Sequence, residues 1–169
     1  NKDIEDNDMK EGIGIIIHEV DRANNVIKGL LDFAKPSIGQ IDAQSIGQLI
    51  KDILLITYKY AQQHNVKINY HVAQDMIVMF DEEKLKQAFI NIMFNSIQAM
   101  PHGGNIYIEV TSKDGWVNIS FKDEGVGIPP DKLEKIYEPF YTTKDTGTGL
   151  GLPITHRIIE EHKGYMEIS

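Results

Sequence analysis

Between Ile13 and Ala34 apolar side chains return every seven residues, at Ile13, Val20, Ile27 and Ala34. Ile16, Ala23 and Leu30 repeat the spacing at the next offset, with Ile17 and Leu31 beside them. That period predicts one helix of about six turns carrying a wide apolar stripe, the pattern of a bundle member. One helix cannot bury such a stripe by itself, so the segment demands a partner helix from upstream sequence, from another chain, or from both. Pro36 ends the pattern, because proline cannot continue a helix. Ser37 to Ser45 reads as a linker.

The rest of the chain mixes periods of 3.6 and 2. Ile46–Gln63 has helical spacing, Val66–Val72 alternates as a strand does, and Met76–Phe80 is a short apolar strand. Asp81 is an N-cap for a helix running to Met100. After the turn at "HGG", His102 to Gly104, the strands Asn105–Thr111 and Trp116–Lys122 form a hairpin around "SKDG". Leu150–His162 is helical, Gly164 closes it, and Tyr165–Ser169 begins a further strand whose completion is expected beyond Ser169. The sum is an α+β layer architecture, an antiparallel sheet with helices on one face.

Composition narrows the function classes. A net charge of −8, with 17 basic residues spread along the chain, excludes a nonspecific nucleic-acid binder. The absence of cysteine leaves no disulfide framework and no thiolate metal site. No apolar run approaches a membrane span, and no signal peptide opens the chain, so a cytoplasmic setting is expected.

Four stretches carry chemistry. In "NIMFNSIQAM" the amides Asn91, Asn95 and Gln98 share one stripe, while Leu85, Phe89, Ile92, Ser96 and Met100 line the opposite face. In "DEGVGIPP" Asp123 leaves a strand into Gly125 and Gly127, placing a carboxylate at the edge of a tight loop where it suits an exocyclic amine. In "EPFYTTK" Phe140 and Tyr141 anchor a loop by burial, and Thr142, Thr143 and Lys144 offer hydroxyls and an ammonium to an anion. In "GTGLGLPI" Gly147, Gly149 and Gly151 open the last helix, whose N-terminal N–H groups attract phosphate. This last stretch lacks the G-x-x-x-x-G-K-[ST] pattern of a Walker loop. Each stretch taken alone has an ordinary structural reading as a solvated face, a turn or a loop.

Taken together, in this order and spacing, these stretches resemble the four boxes of the Bergerat-type ATP-binding domain of bacterial sensor histidine kinases. The likeness covers the chain from about Gln44 onward. "LLDFAKP" and "KLKQAFINIMFNSIQAMPHGG" are similar to the sporulation kinases, and the short interval between "YTTK" and "GTGLGL" to the nitrogen-regulation branch. The resemblance implies an α/β sandwich with a mixed, mostly antiparallel sheet at 45–169, preceded by a linker at 37–44 and one helix of a dimerisation hairpin at 1–36. It implies ATP and Mg²⁺ as cofactors, with Asn95 as metal ligand and Asn91 beside the phosphates. Asp123 would accept from the adenine amino group, with Gly125, Gly127 and Ile128 forming the adjoining hinge. Phe140 would seat a mobile lid. Thr143 and Lys144 would lie near the phosphates, and Gly147, Thr148, Gly149, Leu150 and Gly151 would fold over them. A basic residue often found one turn after the metal asparagine is Gln98 here, which leaves part of the phosphate neutralisation to Lys144.

The same fold serves ATP-hydrolysing chaperones, topoisomerases and mismatch-repair proteins, in which a glutamate one turn before the metal asparagine activates water. That position is Asn91, and an amide cannot take a proton from water. The expected reaction is therefore transfer of the γ-phosphate to a histidine, and thence to an aspartate of a response-regulator receiver domain. The alternatives are a non-kinase ATPase of this fold or a nucleotide-binding regulatory module. A homodimer through the helical bundle and protein inhibitors of the kinase are the other partners implied.

His18, followed by Glu19, fits the first half of the family's acceptor box, but Ala23 stands where that box has proline. "EVDRANNVIKGLLDFAKP" instead resembles the second helix of the hairpin, so the acceptor is expected on a helix upstream of Asn1 rather than at His18. Membrane anchoring, where present, would also lie upstream.

Overall fold

The computed structural model describes residues 9, 12–17, 19–20, 23–24, 27, 29–31, 39–144 and 147–169. The described residues between 12 and 31 are helical, as the seven-residue spacing predicts. On that helix Ile13, Ile16, Val20 and Ile27 are all at least half exposed. His18, Ala34, Pro36 and the start of the linker lie outside the described residues.

From Asp42 the chain runs β1 (Asp42–Ser45), α1 (Ile46–Gln63), β2 (Val66–Val72), β3 (Ile77–Phe80), α2 (Glu82–Gln98), β4 (Gly104–Lys113) and β5 (Trp116–Asp123). Two short 3₁₀ turns, Pro130–Lys132 and Lys135–Tyr137, then lead toward α3 (Gly151–Glu161). β1 corrects the reading of Ser37 to Ser45 as linker. Asp-Ala-Gln-Ser has no strand preference of its own, and its ladder arises from antiparallel pairing with β3, Asp42 opposite Phe80 and Ser45 opposite Ile77.

The three-stranded sheet has the order β2-β4-β5. β4 and β5 form the expected hairpin, whose two-residue turn places Asp114 and Gly115 at φ 52° and 79°. β2, however, lies parallel to β4, Val66 opposite Gly104 and Val72 opposite Val110. The sheet is thus mixed rather than antiparallel throughout, because the crossover through β3 and α2 returns the chain in the same direction. Tyr165–Ser169 forms no strand; the Tyr165 ring lies 4.9 Å from that of Trp116 at the start of β5, without ladder hydrogen bonds.

One face of the sheet carries the core. Ile106, Ile108 and Val110 of β4 pack under Ile50 and Ile53 of α1 and Phe89, Met93 and Ile97 of α2, all buried. Removing a side chain such as Ile53 or Met93 from water contributes about 1.5–3 kcal/mol. The starts of α1 and α2 are fixed by side chains. Ser45 Oγ accepts the Gln48 N–H at 2.8 Å and donates to the Asp75 carboxylate, which also receives the Gly47 N–H at 3.0 Å. Those bonds, Ser45 first, hold Asp75 below the ordinary carboxylate range. Asp81 caps α2 as the sequence predicts, accepting from Lys84 N–H at 3.1 Å. It also accepts from Gly39 N–H, and its own N–H donates to His162 Nε2 at 3.0 Å. Buried Asp81 therefore joins linker, α2 and the end of α3.

Candidate functional site

α2 and α3 lie side by side, and Asn91, Gly151 and Thr155 meet along their contact. Asn91 does not face away from the protein as the helical projection alone suggests. Its Nδ2 donates to Thr155 Oγ1 at 2.9 Å, and its amide lies so close to Gly151 that a Cβ there would sit 2.5 Å from Oδ1. A side chain at 151 would thus displace the Asn91 amide from its place beside α3. Thr155, fully buried, also reaches Ala88 O at 3.5 Å. Nothing in the sequence marks Thr155 as part of the site. It falls one turn after Gly151, on a face that only the helix pairing defines.

One turn further along α2, Asn95 Oδ1 accepts from Lys144 Nζ at 2.8 Å, and Gln98 Oε1 accepts from the same ammonium at 2.7 Å. Burial pushes the Lys144 ammonium below its ordinary value. The ammonium assigned to an anion near the phosphates therefore stands on the oxygen assigned to the metal. Thr142 Oγ1 accepts from Lys144 N–H at 3.1 Å, fixing the backbone beneath it, while the Thr143 side chain is exposed.

The loop after β5 is built on Asp123. One carboxylate oxygen accepts the Gly125 N–H at 3.0 Å, and Val126 N–H donates to Ala99 O at 3.1 Å, tying the loop to the end of α2. A Cβ on Gly125 would lie 2.7 Å from that of Ala99, so contact with α2 requires this glycine. Gly127 has open space but φ 68°, so conformation requires the other. Ile128 is exposed beside it. Glu124 turns the other way and clips the loop to β4, accepting from Asn105 Nδ2 at 2.7 Å and Asn105 N–H at 3.0 Å. These bonds, the Asn105 side chain first, lower its pKa.

Phe140 corrects the expectation of an aromatic plug. The residue is 55% exposed, and its backbone sits at φ 70°. What anchors the loop is main chain: Phe140 N–H donates to Gly149 O at 3.0 Å. Gly149, at φ 67°, lies so close that a Cβ would collide with the Phe140 backbone. Gly147 packs instead against the side chain of Thr142. Just before this loop Ile136 is buried, and the Tyr137 ring lies 4.9 Å from that of His156 on α3.

α3 begins without a side-chain cap. The N–H groups of Gly151 and Leu152 are among those a helix start leaves without intrahelical partners, and Pro153 sits in the first turn, where its missing N–H costs nothing. Thr148 Oγ1 accepts from Leu150 N–H at 3.4 Å, just ahead of the helix. Leu150 itself is 1% exposed and faces Gly29, so it offers a ligand only its backbone.

These residues fit a nucleotide with a divalent ion. The rim combines hard amide oxygens, an ammonium, an uncapped helix start approached through glycines, and a carboxylate with one oxygen left by its loop bond. Among the described residues no helix is long and apolar enough to cross a membrane.

Comparison with known proteins agrees. Residues 80–169 match the family described as histidine kinase-, DNA gyrase B- and HSP90-like ATPases. The chain is 40% identical over 152 residues to sporulation kinase E of Bacillus subtilis (strain 168), a match covering 89% of this chain and 21% of that protein. It spans well under half the length of the curated relatives it resembles. Among solved structures, the nucleotide-free catalytic domain of histidine kinase ThkA superposes with a TM-score of 0.68 at 31% identity, covering 73% of this chain and 82% of that one. ThkA in complex with the response regulator protein TrrA gives 0.75 at 28% identity, covering 92% of this chain and 45% of that one. The chain belongs to the histidine kinase-, DNA gyrase B- and HSP90-like ATPase family, and within it to the catalytic domains of sensor histidine kinases.

Proposed function

We propose that this chain binds Mg-ATP between α2, the Asp123 loop and the start of α3. From there the γ-phosphate passes to a histidine on a helix upstream of Asn1, and then to an aspartate of a response-regulator receiver domain. The observation that carries this reading is the meeting of Asn95 Oδ1 and Lys144 Nζ at 2.8 Å beside the uncapped start of α3. It brings a metal-type oxygen, a cation and helix N–H groups to one rim.

In this assignment Asn95 holds the metal through its amide oxygen. The Asp123 oxygen not engaged by Gly125 accepts from the adenine amine. Gly149, Gly151 and the first N–H groups of α3 receive the phosphates together with Thr143 and Lys144. Bound Mg-ATP supplies the phosphoryl group and the metal charge that spreads its negative charge; the protein contributes position and fixed dipoles. Asn91 is committed to Thr155 and has no basic atom for a water proton, which favours a histidine acceptor over hydrolysis. The apolar stripe of the N-terminal helix, half exposed in the single chain, supports a dimerisation hairpin at 1–36 completed by an upstream helix and a second copy. The complex of ThkA with TrrA supports a receiver domain as partner. The name of the Bacillus relative points to sporulation as the process served.

Radiolabelled ATP tests the proposal. The chain should bind nucleotide with Mg²⁺ yet take up no label, and extension by the upstream helix should restore labelling that persists in His18→Gln. Strong label on the chain alone, lost in His18→Gln, would place the acceptor at His18. Rapid steady-state turnover abolished by Asn91→Ala would instead make it a hydrolase.

A further inference from the structure

We propose that Gln98 is a positioning residue that shares the Lys144 ammonium with Asn95, so that Lys144 and Mg²⁺ exclude each other at Asn95 Oδ1 while Gln98 retains the ammonium beside the phosphates. This rests on the nucleotide reading above. An ammonium has three donors, and two are spent here on amide oxygens, at 2.8 Å from Asn95 and 2.7 Å from Gln98. The Gln98 amide turns Nε2 toward the Tyr60 hydroxyl, 3.5 Å away, and Oε1 toward Lys144. Tyr60 is itself held edge-on against Phe94, with ring centroids 4.9 Å apart.

Both acceptors are uncharged. Lys144 is therefore held by dipoles that leave its charge uncancelled and available to an anion, which a carboxylate at 98 would neutralise. A divalent ion on Asn95 Oδ1, at about 2.1 Å, would stand within roughly 5 Å of an ammonium still bonded to that oxygen, and like charges repel strongly at that range. The Gln98 bond is the one that survives the exchange. Gln98 thus draws from residue 144 the cation that its own side chain lacks.

Lysine footprinting on the whole chain, in EDTA and without nucleotide, tests the seat. Lys144 should be acylated far more slowly than exposed Lys113, and Gln98→Leu should raise its rate by about tenfold, as expected when one charge-assisted hydrogen bond is lost. Mg²⁺ alone should raise it in the unaltered chain, and Gln98→Glu should keep it slow. A Lys144 rate equal to that of Lys113, or unchanged in both Gln98→Leu and Asn95→Ala, overturns the proposal. Calorimetry with ATP tests the exclusion. Lys144→Met should weaken binding in EDTA more than in Mg²⁺, widening the ratio of the two affinities by roughly tenfold. Asn95→Ala should lose the Mg²⁺ enhancement and keep binding in EDTA. Equal weakening of Lys144→Met in both conditions refutes exclusion. A chain that binds no nucleotide at all sinks the proposed function, while the footprint still reports on the seat.

Discussion

Asn91 Nδ2 donates to Thr155 Oγ1 at 2.9 Å, so an amide on α2 fixes the helix whose N-terminus forms the candidate phosphate site. Thr155→Val preserves shape and removes the hydroxyl, leaving that amide without its partner. It should cost about 1–3 kcal/mol. Denaturant unfolding should show the loss, and ATP affinity should fall with it because α3 is no longer held against Gly151. Unchanged stability would mean the bond contributes nothing.

Gly149 and Gly127 both sit at positive φ, near 67° and 68°, but only Gly149 has backbone where a Cβ would go. Gly127→Ala should cost about 1 kcal/mol, the conformational penalty alone. Gly149→Ala should cost clearly more and reduce nucleotide affinity, since it separates Phe140 from α3. Thermal melts of the two variants side by side decide this; equal shifts would refute the close approach as the cause.

Asp123 accepts the Gly125 N–H with one oxygen. Asp123→Asn can retain that bond while presenting NH₂ where the second oxygen was. Adenine nucleotides should then bind roughly tenfold or more weakly, since a donor facing a donor replaces a hydrogen bond to a charged group. The melting temperature should stay close to that of the unaltered chain. Competition binding with ATP and GTP measures the change, and undiminished preference for ATP would remove Asp123 from base recognition.

Asp75 caps α1 from a distant loop, and its pKa is lowered by the Ser45 and Gly47 bonds. A depressed carboxylate contributes stability above its unfolded value and loses it as pH falls through the folded one. Asp75→Asn should therefore melt below the unaltered chain at neutral pH, with the gap closing below roughly pH 4. A gap that stays constant on acidification would assign the effect to something other than the charge.

The long helices, the β4–β5 hairpin and the Asp81 cap were legible because each follows from neighbours in sequence: period, turn chemistry and cap spacing. The four candidate stretches could be picked out too, since each is a run of seven to ten residues whose chemistry is local. β1 was not, because Asp-Ala-Gln-Ser becomes a strand only through β3. Burial of Phe140 was expected from its type, yet the loop is held by a main-chain bond that no side-chain pattern announces.

The sequence by itself determined which residue types stand at the site and in what order. Periodicity also determined which helix faces are apolar. Tertiary structure decided the pairings: β2 parallel to β4, Asn91 on Thr155, and Lys144 shared by Asn95 and Gln98. Helical and strand periods specify a face, but a hydrogen bond specifies a partner. Residues 46 to 64 positions apart in the chain meet only when packing brings α2, α3 and the loop before α3 together.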